Sequence, residues 1–217
     1  MGQTIHLCEG DSLQEYWVIP SDNANNMQWD FIVGSGAQFV STQNTSQTII
    51  DFPTAGTYVL KFSETNQYGC VGSVILDIVV HPLPTPAFFY QNACLGIPVY
   101  IQNNSVANSI QVLEWTVNGR ADTAYHLLET FNQEGLHPVS LYIEDEWSCS
   151  ATYTEMVNVY SNPNANFYFT KDPISTLNPE VQFINLSTSN TQTYWVFGDD
   201  NFSIEESPFH VYDRAGW

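Results

Sequence analysis

The chain has 217 residues, 43% of them hydrophobic and 14% aromatic, but only 12% charged, about half the usual share. Its 23 acidic residues against 4 basic ones give a formal net charge of −19, which repels the nucleic-acid backbone and an anionic membrane surface alike. No stretch approaches the ~20 apolar residues that span a bilayer, and Met1-Gly2-Gln3-Thr4 opens without the basic and apolar regions of a signal peptide. The expectation is a processed or internal segment.

In chain order, Trp29 is followed by Phe52 and Gly56, and then by a clear strand pattern. Tyr58, Leu60 and Phe62 alternate with Val59, Lys61 and Ser63. Period two with one apolar face predicts a half-buried strand. Tyr68 and Cys70 mark a turn, and Val74, Leu76, Ile78 and Val80 predict a final strand. The joint Val80-His81-Pro82-Leu83-Pro84-Thr85-Pro86 follows. Its prolines lack N–H donors and fix φ, which ends sheet pairing and stiffens the connection. The cycle then recurs with Trp115, Phe131 and Gly135, a strand with Val139, Leu141 and Ile143 on one face, a turn at Trp147 and Cys149, and a strand through Tyr153, Val157 and Val159. A second joint, Tyr160-Ser161-Asn162-Pro163-Asn164, leads to a third round with Trp195, Tyr212 and Gly216. No window shows helical periodicity.

This recurrence is a repeat. Gly56 precedes Cys70 by fourteen positions, as Gly135 precedes Cys149, and the offset of 79 also maps Val80 onto Val159, Pro84 onto Pro163 and Phe88 onto Phe167. Tyr212 and Gly216 repeat Phe131 and Gly135 at an offset of 81. The expected modules are 1–81, 82–161 and 162–217. Several short strands per ~80 residues, separated by Asn, Gly, Ser and Pro, predict an all-β chain of tandem immunoglobulin-like β-sandwich modules. By alignment the third module is expected to lack its last two strands, as a fragment or as a sandwich completed by a partner's strand.

Cys8 and Cys94 stand near module starts, Cys70 and Cys149 at the turn before the last strand. Four cysteines allow three connectivities. The repeat favours one bridge per module, Cys8 with Cys70 and Cys94 with Cys149, and bridges of this kind indicate an oxidising, extra-cytoplasmic compartment. The rival, a metal site, lacks CxxC or His at ligand spacing.

The run Tyr194-Trp195-Val196-Phe197-Gly198-Asp199-Asp200 resembles the W-x-F-G-D-G strand and turn of PKD (polycystic kidney disease) domains. Pro208, His210, Tyr212 and Gly216 continue that resemblance as P-x-H-x-Y-x-x-x-G. The match departs at Asp200, where the family usually has Gly; a strained or different turn conformation is expected there, since Asp tolerates positive φ only moderately. The opening Cys8-Glu9-Gly10-Asp11, the Gly-x13-Cys ending and the Pro-rich joints resemble modules of giant surface proteins of the Bacteroidota, which are exported by type IX secretion and include gliding-motility adhesins. That resemblance implies a bacterial cell-surface or extracellular location. Asp11-Ser12-Leu13 and Asp122-Thr123-Ala124 fit the O-glycosylation pattern of that phylum, with Ser12 and Thr123 as acceptors.

Carboxylates cluster at Glu144-Asp145-Glu146 and at Asp199-Asp200. Neighbours on a strand point to opposite faces, which argues against an acid/base pair facing across a cleft, and no nucleophile motif is present. These five residues are candidate calcium ligands, since hard cations take carboxylates and turn carbonyls; the plainer reading is a solvated acidic turn, and no cofactor is required. Tyr16-Trp17 and Trp147 are candidate sugar-stacking aromatics, against the plainer reading of core packing. The resemblance implies a non-catalytic function: spacer and interaction modules of a surface adhesin or filament. The expected partners are other modules of the same chain and surface proteins or glycans. Alternatives are a component or cargo of the secretion and gliding machinery, and accessory modules of a secreted hydrolase.

Overall fold

The computed structural model describes residues 4–11, 13–21, 24–170 and 179–213. Among the described residues every regular element is a strand. The first repeat supplies β1 (Thr4–Cys8), β2 (Gln14–Trp17), β3 (Ala24–Val33), β4 (Gln38–Phe39), β5 (Gln47–Asp51), β6 (Gly56–Asn66) and β7 (Val71–His81). The second supplies β8 (Phe88–Tyr90), β9 (Ala93–Cys94), β10 (Pro98–Asn103), β11 (Val112–Val117), β12 (Arg120–Asp122), β13 (Leu127–Thr130), β14 (Gly135–Glu144) and β15 (Ser150–Tyr160). The third supplies β16 (Phe167–Phe169), β17 (Glu180–Asn185), β18 (Trp195–Val196), β19 (Phe202–Ser203) and β20 (Phe209–Val211). The chain divides into two compact units, one of Met1–Gln91, Tyr100–Glu129 and Leu136–Val157, the other of Asn92–Val99, Thr130–Gly135 and Asn158–Trp217. The division falls inside residues 82–161.

In the first unit, a four-stranded sheet β1-β7-β6-β3 faces a three-stranded sheet β2-β5-β4. Side chains alternate across each strand, so the inward set forms the core. Trp29, Ile50, Phe52, Tyr58, Leu60, Phe62, Ile78 and Val80 pack there. The predicted strand after Gly56 is β6, with Tyr58, Leu60 and Phe62 buried. Trp29 lies opposite Phe62 in the β3–β6 register, and its indole N–H donates to the Thr45 carbonyl at 2.9 Å. That bond removes the cost of burying a polar tip inside an apolar plug. β1 runs parallel to β7, with Cys8 opposite His81.

The same design recurs around Trp115, which is fully buried. It lies opposite Leu141 in the β11–β14 register and donates to the Ala124 carbonyl at 2.9 Å. Val139, Leu141 and Ile143 are buried as predicted. Both long hairpins outrun their cores: Val74 is 55% exposed on β7 and Tyr153 39% exposed on β15, while Ile78, Val80 and Val157 are buried. The period-two pattern thus continues past the end of each core.

In the second unit, β9 pairs in parallel with the end of β15, Cys94 opposite Tyr160. A three-stranded sheet β16-β17-β20 and a two-stranded sheet β18-β19 follow. Trp195 repeats the tryptophan design, donating to the Glu205 carbonyl at 2.9 Å. Among the described residues β18 pairs only with β19. Val181 and Phe183 are the buried residues of β17.

Candidate functional site

The turn that ends β14 is built by one carboxylate. Asp145 is 3% exposed, and its Oδ1 accepts hydrogen bonds from the backbone N–H of Trp147 at 2.9 Å and of Cys149 at 3.0 Å. The backbone closes the same turn, with the Asp145 N–H donating to the Cys149 carbonyl and the Ser148 N–H to the Asp145 carbonyl. An Asx turn of this kind fixes the direction of the side chains it carries. It presents Trp147 and Cys149 together to the end of β1.

There Cys149 is bonded to Cys8, with Cα atoms 5.4 Å apart and a sequence separation of 141. Cys70 and Cys94 are free. This overturns the expected pairs Cys8–Cys70 and Cys94–Cys149. The reason is strand geometry. Cys8 is registered with His81 at the C-terminal end of β7, whereas Cys70 precedes Val71 at its N-terminal end. Eleven residues of extended chain separate the two by about 36 Å, far beyond the ~7 Å reach of a disulfide. Cys94 stands likewise opposite Tyr160 at the far end of β15 from Ser150.

Beside the bridge, the Trp147 indole stacks on two imidazoles at once. The His6 ring lies 4.1 Å from it at 15° and the His81 ring 4.4 Å from it at 10°. His6 Nδ1 and His81 Nε2 are 2.9 Å apart, a hydrogen bond in which one ring donates and the other accepts. Parallel pairing of β1 with β7 puts both histidines on one face, two positions apart in register. His6 and His81 stand far apart in the chain, and only the long-range register of β1 with β7 creates this pair. Disulfide, indole and imidazoles form a joint between the opening strand of the first repeat and the last turn of the second. On the chain-entropy argument, a loop of this length restrains the unfolded chain by about 5 kcal/mol.

The predicted calcium ligands do not converge here. Asp145 is committed to its turn, Glu144 accepts from the Tyr142 hydroxyl at 2.7 Å, and the Glu146 N–H donates to Ser109 Oγ at 3.2 Å. Among the described residues no three His, Cys, Asp or Glu side chains group as metal ligands. The candidate aromatic platform also separates. Tyr16 points inward against Phe52, and its burial pushes the hydroxyl up to about 12, while Trp17 on the opposite face is 68% exposed. Trp147 spends its face on the histidines. Thr123 is exposed beside Asp122, and Ser12 lies outside the described residues.

In the second unit the signature residues do come together. His210 stacks on Phe197 at 4.1 Å and 5°, and its Nε2 lies 2.8 Å from Asp199 Oδ2. Tyr212 meets His210 edge-on and donates to the Phe197 carbonyl at 3.2 Å. Desolvation pushes the Asp199 carboxyl up, but hydrogen bonds from His210 and Asn201 together hold it below the usual carboxylate range. Gly198 and Asp200 both take the left-handed conformation, at φ 87° and 68°. Pro208 is buried, and Gly216 lies outside the described residues. A groove of about 750 Å³ opens over Phe167, Phe183, Trp195, Phe197 and Tyr212.

No protein-family model matches the chain, and no curated protein does. Among solved structures, the N-terminal eight Ig domains of Down syndrome cell adhesion molecule match with a TM-score of 0.55 and 13% identity, over 99% of this chain and 32% of that one. This chain thus spans about a third of that structure. The fibronectin(III)-like modules of CbhA from Clostridium thermocellum match at a TM-score of 0.36 and 14% identity, over 74% of this chain and 91% of that one. The mouse nectin-like molecule 4 ectodomain matches at 0.39 and 9%, over 96% and 87%. The sheets described above and the match at a TM-score of 0.55 make the fold class all-β, a chain of immunoglobulin-like β-sandwich modules. The disulfide between two repeats is of the kind that persists in oxidising, extra-cytoplasmic compartments.

Proposed function

We propose that this chain is a stretch of PKD-type modules from a bacterial surface protein, exported by type IX secretion, in which it spaces and presents protein- or glycan-binding faces as part of an adhesin or filament. The observation that carries this reading is the joint. The bridge runs from the opening strand of one repeat to the last turn of the next. It fixes one repeat to another, which is what a chain that must keep its shape under load requires. The cluster of Phe197, Asp199, His210 and Tyr212 supports the PKD type, because these four signature residues hold one another in it. The excess of acidic residues keeps such a chain soluble and self-repelling. Other repeats are its first partners, and surface proteins or glycans its second.

Single-molecule extension of the whole chain tests the load-bearing role. Oxidised molecules are expected to release about 50 nm less contour length than reduced ones, because the residues between Cys8 and Cys149 are locked. Equal extension in both states would refute it. A glycan-array screen of the same chain tests presentation.

A further inference from the structure

The two free cysteines stand in copies of the environments that hold the bridged pair. Cys8 ends β1, opposite His81; the Glu9 N–H donates to the His81 carbonyl at 2.8 Å and the Asp11 N–H to the Cys8 carbonyl at 2.9 Å, around Gly10 at φ 85°. Cys94 ends β9, opposite Tyr160; the Leu95 N–H donates to the Tyr160 carbonyl at 3.0 Å and the Ile97 N–H to the Cys94 carbonyl at 3.1 Å, around Gly96 at φ 72°. The two openings share these backbone bonds and the left-handed glycine; Asp11 Oδ2 adds a bond from the Cys8 N–H at 2.8 Å that Ile97 cannot supply.

The turns match as closely. Asn66 Oδ1 accepts from the N–H of Tyr68 at 2.9 Å and of Cys70 at 3.0 Å, as Asp145 Oδ1 does from Trp147 and Cys149. Gly69 takes φ 81° where Ser148 takes 64°. Tyr68 holds the place of Trp147, yet it is 80% exposed, and among the described residues no ring stacks on it as His6 and His81 stack on Trp147.

The chain thus contains one opening cysteine joined to the turn of the following repeat, plus one unpaired opening and one unpaired turn. We propose that Cys94 and Cys70 are half-sites for further bridges of the same kind. Cys94 takes the turn cysteine of a following repeat, and Cys70 takes the opening cysteine of a preceding one. The partner is another repeat of this design, with an Asn- or Asp-led Asx turn carrying an aromatic and a cysteine, or a Cys-x-Gly opening. Each bridge forms by two thiol–disulfide exchanges with a disulfide oxidant. The two thiols give up two protons and two electrons, one S–S bond forms in the protein, and the oxidant leaves as two thiols. The inference rests on the tandem-array reading, which survives if these thiols stay free.

Two tandem forms of the whole chain test it. In one, a second copy of residues 82–161 is inserted after Ser161; in the other, a second copy of residues 1–81 precedes the chain. Both are oxidised in a glutathione buffer and mapped by mass spectrometry of unreduced digests. The first is expected to keep Cys8–Cys149 and to gain a bridge from Cys94 to the turn cysteine of the inserted copy. The second is expected to bridge the added opening cysteine to the native Cys70, leaving two free thiols of six in each. Cys94→Ser in the first form and Cys70→Ser in the second are expected to abolish only the new bridge. Free thiols at Cys70 and Cys94 in folded tandem forms would overturn the proposal, as would bridges within single repeats. Loss of folding in both forms would also count against it, since repeats of this design must then fail to stack.

Discussion

Cys8 and Cys149 are bonded with their Cα atoms 5.4 Å apart, although 141 positions of sequence separate them. Each sits at an end of its own sheet, Cys8 closing β1 and Cys149 preceding β15. Cys149 is itself fully buried, and the bond ties the opening strand of one repeat to the last turn of the next.

Cys149→Ser is expected to lower stability by about 2–5 kcal/mol, measured as a fall in the thermal midpoint of the first unit's transition. Reduction of the unaltered chain should produce the same fall. Cys70→Ser and Cys94→Ser should leave the midpoint where it was, since neither thiol is bonded. A C149S chain that melts like the native one would show that the joint restrains nothing.

Trp147→Ala removes the surface on which His6 and His81 stack. The loss should be roughly 1–2 kcal/mol, most of it stacking and area. A double-mutant cycle with His6→Ala isolates the contact, with a coupling of about 0.5–1 kcal/mol. Strictly additive effects would mean that the rings lie together without holding each other.

Much of this architecture was legible in the sequence. Period two placed Tyr58, Leu60 and Phe62, and likewise Val139, Leu141 and Ile143, on buried faces. It placed Val74 and Tyr153 in the strands they occupy, β7 and β15, but their exposure was not legible, because periodicity reports pleat and does not report where a core stops. The repeat identified Cys70 with Cys149 and Cys8 with Cys94. It could not say which copy supplies each partner, since equivalence is silent about whether a bond stays within a repeat. The strand lengths held the answer: a cysteine at each end of an eleven-residue strand cannot bond its counterpart. His6 and His81 were illegible as a pair, because the parallel register that joins them links residues 75 positions apart.

Asp200 has φ 68°, a conformation that costs an L-residue with a Cβ about 1 kcal/mol or more. Asp200→Gly is therefore expected to stabilise the second unit by about 0.5–1 kcal/mol. Asp200→Val should destabilise it, because a β-branched side chain fits that region worst. Thermal unfolding of both variants beside the native chain checks the order. If glycine proves the less stable, Asp200 holds the turn by more than its backbone.

Asp199 sets an acid-dependent part of stability. Its carboxyl is held below the usual range in the folded protein, with hydrogen bonds from His210 and Asn201 outweighing desolvation. A group whose folded pKa is depressed contributes stability that is present above its unfolded pKa, about 3.9, and is lost as pH falls through the lower folded value. Native protein should therefore be more stable than Asp199→Asn at neutral pH, and the gap should close as pH drops below about 4. Melting both proteins across that range, with Trp195 fluorescence reporting on the β18–β19 sheet, follows the gap directly. A gap that persists unchanged to about pH 2 would mean that the shape of the side chain matters there and its charge does not.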